Sequence, residues 1–248
     1  MIVLKRPEEI ARMREAGRLV ARLLLELERR IRPGVTTQEL DRFAEEFIRA
    51  AGGTPSFKGY RGFPASICTS VNEEVVHGIP GPRRLEEGDI ISIDVGVWLQ
   101  GYHSDGARTY PVGEIDPEGR RLLEVTERAL YAGIAQAKPG NRVSDISHAV
   151  QQVVEAAGFS VVREFVGHGI GRRIHEDPQV PNFGPPGRGP RLRPGMTLAV
   201  EPMVNEGGPE VVLKEDRWTA VTVDGRRSAH FEHTVAITED GPAILSVL

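Results

Sequence analysis

Apolar residues recur every three or four positions along the first fifty residues and predict two amphipathic helices. The first begins at Pro7, which presets the backbone for a helix start, and we expect it to end near residues 32–34. The second begins at the capping box formed by Thr36 and Glu39, and Gly52-Gly53 ends it. The chain therefore opens with two helices, each with one apolar face.

The apolar stretches that follow are shorter and are typical of strands. Glycine and proline bracket two short predicted strands, one over residues 65–70 and one toward residues 75–76. A stronger signal lies in residues 88–105, which read GDIISIDVGVWLQGYHSD. The β-branched run in this stretch ends at Gln100-Gly101, a turn signal, so the pattern predicts a β-hairpin.

The predicted hairpin brings two carboxylates together. Folding about the turn puts Asp94 and Asp105 opposite or nearly opposite each other, with Cβ atoms about 5 Å apart if they pair directly. Like charges in such positions destabilise a strand pair, so a hard cation that takes both carboxylates is one interpretation. The other is that one Asp lies on a solvated edge and the register keeps the charges apart. The hairpin alone favours neither.

Two segments of the second half echo segments of the first. Residues 138–159 echo residues 32–53, which lie 106 positions earlier. Further on, PGMTLAVE echoes EGDIISID at a distance of 107 positions and places Glu201 on Asp94. Two matches in the same order at almost the same distance indicate an internal repeat.

A helix predicted over about residues 117–137 begins the second copy of the pattern. We infer a single domain, residues 1–248, made of two similar halves, about 1–113 and 114–248. Helices gathered on one face of a largely antiparallel sheet give an α+β architecture. A pseudo-two-fold axis between the halves brings the carboxylates of both to the centre.

Composition narrows the class of protein. The 248 residues are 40% hydrophobic and 27% charged, which is enough for a domain with a substantial core. A formal net charge of −4 gives no general attraction to nucleic acid or membranes, and no apolar run approaches the length of a membrane span. The N-terminal segment lacks the features of a signal peptide, and the lone Cys68 fits a reducing compartment. We expect a cytoplasmic protein.

Further candidate ligands lie in the second half. Glu201 ends an apolar strand, and residues 230–235 predict one strand of alternating polarity, with residues 218–223 as its hairpin partner. His168 lies in GHGIG, where flanking glycines allow close backbone approach and should leave the imidazole uncovered.

The candidate ligands form a set of four carboxylates and one imidazole: Asp94, Asp105, His168, Glu201 and Glu232. One divalent ion would leave this set negative, whereas two ions roughly 3.5–4 Å apart balance it and suit hydrolysis by a shared water. Oxygen-rich ligation favours manganese, iron or cobalt over the zinc of thiolate sites.

Six short motifs make the chain resemble the methionine aminopeptidases over essentially its whole length. They are HGIP at 77–80, IDVG at 93–96, GHGIG with HEDP within 167–178, EPM at 201–203 and FEHT at 231–234. Only 31 residues separate Glu201 from Glu232, which leaves no room for the helical insertion of the type II enzymes. With no zinc-binding extension expected before the first helix, the chain resembles the short bacterial type I form.

The resemblance implies a pseudo-two-fold "pita-bread" fold with a dinuclear metal centre. In this family Asp94 and Asp105 would bind one ion, Asp105 and Glu232 would bridge to the second, and His168 and Glu201 would complete its shell. The two divalent ions could be cobalt, manganese, iron, zinc or nickel. A metal-activated water would attack the scissile carbonyl. A monovalent cation is a further expectation, near the residues Asn72 and Ser228.

Three residues are implied as catalytic. Glu201 would pass a proton to the leaving amine, His175 would donate to the carbonyl oxygen, and His77 would contact the backbone nitrogen on the leaving side. With these two histidines, the methionine pocket would be formed by an apolar set: Tyr60, Phe63, Cys68, Ile174 and Trp218. Phe63 stands where tyrosine is common, Ile174 where phenylalanine is common, and Phe57 replaces a small residue near the mouth.

The resemblance implies removal of the initiator methionine from nascent proteins whose second residue is small. One alternative is a proline-directed aminopeptidase or dipeptidase of the same fold, and another is a non-catalytic relative that binds RNA or protein. We expect a monomer without membrane or stable nucleic-acid binding. A basic loop could touch ribosomal RNA transiently, but a solvated loop is the favoured interpretation of its arginines: Arg188, Arg191 and Arg193. The remaining histidines are interpreted as structural: His103, His148, His230 and His233.

Overall fold

The computed structural model describes residues 1–248 and contains four α-helices. They are α1 (Pro7–Glu28), α2 (Thr37–Ala50), α3 (Pro117–Ala135) and α4 (Val143–Ala156). All four lie where the sequence predicts a helix, and the capping box of Thr36 and Glu39 is present. Helix α1 ends at Glu28, earlier than expected. None of the helices combines the length and the apolar character needed to span a bilayer.

The strands are short except for the central hairpin. In chain order they are β1 (Thr54–Pro55), β2 (Cys68–Val71), β3 (Glu74–Val76), β4 (Ile90–Leu99), β5 (Tyr102–Pro111), β6 (Ser160–Val161), β7 (Gly167–Gly169), β8 (Glu176–Val180), β9 (Thr197–Val200), β10 (Met203–Asn205), β11 (Val211–Leu213), β12 (Ala220–Thr222), β13 (Ser228–His230), β14 (Glu232–Thr238) and β15 (Gly241–Ile244). The predicted hairpin is β4–β5, and its turn residues Gln100 and Gly101 have φ of 50° and 91°, as a type I′ turn requires.

The largest sheet is antiparallel, with the order β1-β4-β5-β14-β9-β7-β8, and β2 and β15 pair with β4 and β14. A hairpin strand from the first half, β5, lies beside a strand from the second half, β14, at the middle of this sheet. Two small three-stranded sheets, β13-β10-β6 and β11-β12-β3, complete the fold. The predicted α+β class is confirmed, while the division into halves near residue 113 stays a prediction.

The helices cover one face of the large sheet. Alternate residues of β4 point toward α1 and α2 and form a fully buried cluster with them, including Ile91, Ile93 and Val95 against Leu19 and Leu23. Burying each such side chain stabilises the fold by roughly 1.5–3 kcal/mol. Because side chains alternate along a strand, the residues between them, Asp94 included, point to the opposite face.

The structure corrects two sequence predictions about residues 218–235. The predicted single strand over 230–235 is wrong, because the chain changes sheets at Phe231: β13 pairs with β10, and β14 joins the large sheet. Residues 218–223 are not its hairpin partner, since β12 pairs with β11 and β3 instead. Both errors concern tertiary pairing, which a local alternation of polar and apolar residues does not encode.

Candidate metal centre

Three acidic side chains lie in one row across the large sheet. Asp94 pairs with Ala107, and Ala107 pairs with Glu232 on its other side. His233 pairs with Val200, so the same register continued by one residue places Glu201 opposite Glu232. Directly opposite residues share a face of a sheet, so these carboxylates project together from the face that the helices leave open.

Asp105 and His168 lie on the same face. Asp105 is two positions before Ala107 on β5, and His168 pairs with Ala199, two positions before Glu201. Asp105, His168 and Glu232 each offer a ligand atom within 4.8 Å of the other two. The hairpin register makes Asp94 and Asp105 diagonal neighbours, which is the nearly opposite arrangement that the sequence allowed.

The carboxylates of this cluster are buried and repel one another. Burial raises the pKa of Asp94 to about 7, and the nearby Asp105 carboxyl lowers it in part. Burial raises the pKa of Asp105 well above its ordinary value, and the charges of Asp94 and Glu201 raise it further. Burial and the neighbouring charges do the same to the pKa of Glu201 and Glu232. Such a cluster binds protons or metal cations strongly.

The hydrogen bonding of His168 shows that a cation fits. Its Nδ1 lies 2.9 Å from the carbonyl oxygen of Gly169, which can only accept, so Nδ1 carries the proton and Nε2 presents a lone pair. Burial lowers the pKa of His168 to about 3, which keeps the ring neutral. Nε2 faces Glu201 Oε1 at 3.3 Å, so either a proton held by that carboxyl or a cation must lie between the two atoms.

Several carboxylate oxygens in the cluster also lack a partner. Asp94 Oδ1, Glu201 Oε1 and Glu232 Oε1 are buried and accept no hydrogen bond. Unpartnered buried oxygens are costly, and an oxygen-rich set with one imidazole nitrogen is suited to a hard or borderline divalent cation. The residues present therefore fit a divalent metal site.

The expectation that His168 is uncovered is wrong. His168 is only 9% exposed, because the ring of His175 lies over it at a centroid distance of 4.3 Å. The predicted close backbone approach is observed: a Cβ on Gly169 would lie 2.1 Å from Asp177 O, and one on Gly167 would lie 2.4 Å from Ala199 O. The glycines thus let neighbouring strands approach rather than expose the imidazole.

The cluster lies at the wall of a cavity of about 760 Å³. All the residues predicted for the site line this cavity except Ile174: Tyr60, Phe63, Cys68, His77, Asp94, Asp105, His168, His175, Glu201, Trp218 and Glu232. Ile174 is buried behind the wall in one apolar cluster with Tyr60, Phe63 and Cys68. Phe57 also lines the cavity, and a Cβ on Gly96 would lie 2.7 Å from its Cε1. Phe57 thus fills the space that Gly96 leaves open.

Two histidines predicted to contact substrate are held by aromatic neighbours. His175 Nδ1 lies 2.9 Å from the hydroxyl of Tyr60. His77 makes edge contacts with Phe165 and Trp218, at centroid distances of 5.3 and 6.4 Å. Burial lowers the pKa of His77 to about 4, so its ring is neutral near pH 7. The positions suit the predicted roles, which stay predictions.

His230 lines the cavity, although the sequence analysis groups it with the structural histidines. It is 2% exposed, and its Nε2 is unpartnered and lies 3.8 Å from Glu201 Oε2. Its position two residues before Glu232 is the one signal that points to the site. The other three contact atoms away from the cluster: His103 with Ser56 Oγ, His148 with Gly184 O, and His233 with Ser246 Oγ.

Comparisons with known proteins show the family to which the chain belongs. The model of metallopeptidase family M24 matches residues 11–239. The chain is 61% identical over 246 residues to methionine aminopeptidase 1 of Bacillus subtilis, covering 99% of each protein. The crystal structure of methionine aminopeptidase from Thermotoga maritima matches with a TM-score of 0.98 and 52% identity, covering 100% of both chains.

A more distant match concerns the fold alone. The prolidase from Pyrococcus horikoshii has a TM-score of 0.81 at 22% identity, over 99% of this chain and 64% of that one. The predicted "pita-bread" fold is confirmed by these structures. The chain belongs to metallopeptidase family M24 and, within it, to the methionine aminopeptidases of bacterial type I.

Proposed function

We propose that this chain removes the initiator methionine from nascent proteins whose second residue is small. The observation that carries the proposal is the convergence of four buried carboxylates and one neutral imidazole at the wall of the 760 Å³ cavity. Full-length similarity to methionine aminopeptidases supports the substrate, because it extends over 99% of the chain. The free amino terminus of a peptide is the group that a metal centre at the wall would select.

We assign the metal-holding roles as the sequence predicts them. Asp94 and Asp105 would hold one divalent ion, Asp105 and Glu232 would be shared, and His168 and Glu201 would hold the second. Cobalt, manganese and iron suit the donor set, with zinc and nickel as further candidates. When bound, such ions polarise a carbonyl oxygen and lower the pKa of water to near neutrality.

Glu201 is proposed to move the proton. Its Oε1 is buried, unpartnered and at the cavity wall, where it can accept a proton from the attacking water. It can then pass that proton to the leaving amine. Positioned acid–base transfer of this kind contributes about 10²–10⁴-fold in rate.

His175 and His77 are proposed to contact the scissile peptide. If Tyr60 donates its hydroxyl proton to His175 Nδ1, the proton of that ring lies on Nε2, which can donate to the carbonyl oxygen as negative charge develops. His77 would meet the nitrogen on the leaving side. Both rings line the same cavity as the carboxylates.

The apolar wall suits a methionine side chain. The aromatic rings of Tyr60, Phe63 and Trp218 and the thiol of Cys68 line it, with Ile174 behind. A thioether beside aromatic rings gains about 0.3–1.5 kcal/mol per contact. Phe57 narrows the cavity beside Gly96, and we expect it to shape inhibitor selectivity.

Four further assignments belong to this proposal. The chain would act as a cytoplasmic monomer and would contact the ribosome only transiently, through Arg188, Arg191 and Arg193. A monovalent cation is proposed near Asn72 and Ser228. Ser228 N donates to Asn72 O at 2.8 Å, and the buried Oδ1 of Asn205, the strand partner of Ser228, has no hydrogen-bond donor.

Hydrolysis of Met-Ala-Ser with added manganese or cobalt tests the proposal. We expect turnover that chelation abolishes and that falls by about 10²–10⁴-fold in Glu201→Ala. Glu239→Ala, at an exposed turn, is the matched control and should keep wild-type activity. A peptide that begins Met-Ile should be a poor substrate, because a bulky second residue would clash on the leaving side.

Three results would contradict the proposal. Full activity in Glu201→Ala removes the proton-transfer role. Preferential cleavage before proline favours the prolidase alternative. If none of the candidate metals supports hydrolysis, the result favours a non-catalytic relative.

A further inference from the structure

The seam between the two halves of the large sheet is short. Strands β5 and β14 share only two register pairs, Ala107 with Glu232 and Gly106 with His233. By comparison, β4 and β5 share ten pairs. Yet the seam carries Asp105 on one strand and Glu232 on the other, so the separation of two proposed metal ligands depends on it.

A threonine hydroxyl replaces the backbone hydrogen bonds where the pairing of β5 with β14 ends. The next pair in the register would be Asp105 with Thr234. There, Asp105 N donates to Thr234 Oγ1 at 2.9 Å, and Thr234 Oγ1 donates to Asp105 O at 2.8 Å. Ser104 Oγ donates to the same oxygen at 3.1 Å. A hydroxyl has one proton and two acceptor lone pairs, so all three capacities of Thr234 Oγ1 are used.

Thr234 is itself fixed in place. The side chain is 0% exposed, Thr234 N donates to Ser246 Oγ at 3.1 Å, and Leu245 N donates to Thr234 O at 2.8 Å. If the hydroxyl were removed, the buried amide of Asp105 would need another hydrogen-bond acceptor, and water does not reach this position. The strands would therefore have to shift. The hydroxyl therefore acts as a spacer between two backbones that no longer bond directly.

The same device occurs at the other end of the seam. Thr109 Oγ1 donates to His230 O at 2.9 Å and accepts from His230 N at 2.8 Å, and Ser92 Oγ lies 2.8 Å from it. Each end is thus held by a buried threonine hydroxyl that bridges the N–H and C=O of one residue on the facing strand.

We propose that Thr234 is a positioning residue whose hydroxyl holds the backbone of Asp105 at the distance from Glu232 that a divalent cation needs. The inference rests on the proposed metal centre and deepens it. Thr234 does not line the cavity, so it would act through Asp105. Residues that orient metal ligands typically change metal affinity or activity by about 10–100-fold when they are replaced.

Thr234→Val tests the proposal, because valine keeps the shape and removes the hydroxyl. We expect the affinity for Mn²⁺, measured by calorimetry on the metal-free protein, to fall by about 10–100-fold. At a fixed subsaturating metal concentration kcat for Met-Ala-Ser should fall, while KM changes by less than about twofold. Thr234→Ser restores the hydroxyl and should recover metal affinity.

The matched control is Thr126→Val, which removes a buried hydroxyl that bonds only to Leu122 O of its own helix. It should change stability but leave Mn²⁺ affinity unaltered. Loss of affinity in this control, equal affinity in Thr234→Val and wild type, or no recovery in Thr234→Ser would each overturn the proposal. Absence of Mn²⁺ binding by the wild type would instead refute the metal centre.

Amide hydrogen exchange gives a readout that requires no metal. In the metal-free wild type, the Asp105 amide should be protected, and Thr234→Val should speed its exchange by at least about tenfold while Thr126→Val does not. Rapid exchange of this amide in the wild type would overturn the proposal even if Thr234→Val does not fold.

Discussion

The metal-free protein should lose stability as the pH rises above 7. Burial and mutual repulsion raise the pKa of Asp105, Glu201 and Glu232 well above their ordinary values. The folded state then keeps protons that the unfolded chain releases near about pH 4. A group that binds its proton more tightly in the folded state stabilises it at low pH, and this contribution is lost as the pH rises toward the folded pKa.

Buried histidines act in the opposite direction, but over a lower range. Burial lowers the pKa of His77 to about 4 and those of His168 and His230 to about 3. The free energy of unfolding therefore increases as the pH rises to about 6.5. Above that pH the histidines are neutral in the unfolded chain as well, so their contribution no longer changes. Above about pH 7 the histidines no longer contribute, so the carboxyls set the slope, joined near about pH 8.5 by Cys68, whose pKa burial raises in the folded state.

The expected size of this loss of stability follows from the number of protons that the folded state retains. Each carboxyl that stays protonated only in the folded state lowers the free energy of unfolding by about 1.4 kcal/mol for each unit that the pH rises. For a chain of this size, 1 kcal/mol shifts Tm by about 2–4 °C, so one retained proton lowers Tm by about 3–6 °C per pH unit. Scanning calorimetry of chelator-treated protein between about pH 7 and 8.5 measures this slope.

Two comparisons test whether the slope of Tm against pH comes from the buried carboxyl cluster. Saturating Mn²⁺ should reduce it, because the cation replaces the protons, and Glu232→Gln should reduce it in the metal-free protein by removing one titrating group. A Tm of the metal-free protein that stays constant or rises over this range would refute the reasoning.

Two substitutions test contacts that hold His175 and its loop. Lys5 Nζ pairs with Glu176 Oε2 at 2.6 Å, with side chains 3% and 6% exposed, so Lys5→Met should cost about 3–5 kcal/mol by leaving a buried charge unpaired. Urea denaturation measures this, and a loss below about 1 kcal/mol would contradict it. Tyr60→Phe removes the partner of His175 Nδ1 and should lower kcat about 3–10-fold with little change in Tm. Unchanged kcat would show that the hydroxyl does not orient the ring.

Much of the site could be predicted because its signals are local. The turn at Gln100-Gly101 fixes the hairpin register, so the approach of Asp94 and Asp105 follows from the sequence alone. The internal echo aligns Glu201 with Asp94 through the order and spacing of residues alone. Each inference depends on residues close in the chain or on a repeat that needs no tertiary information.

The remainder depends on pairing between distant strands. Ala107 stands between Asp94 and Glu232 only because β5 and β14 meet in one register, which no local pattern specifies. The change of sheet at Phe231 is equally invisible, since polar and apolar residues alternate through it. His230 reaches the cavity through that change, which explains why sequence reasoning left it among the structural histidines.

The most direct test of the proposed dinuclear centre is a calorimetric titration of the metal-free protein with Mn²⁺, with hydrolysis of Met-Ala-Ser followed in the same samples. We predict that each chain binds two ions and that turnover appears as they bind. Asp105→Asn should lose both metal binding and turnover. Full turnover in the presence of chelator, or unchanged binding and activity in Asp105→Asn, would contradict a metal-dependent peptidase built on these five side chains.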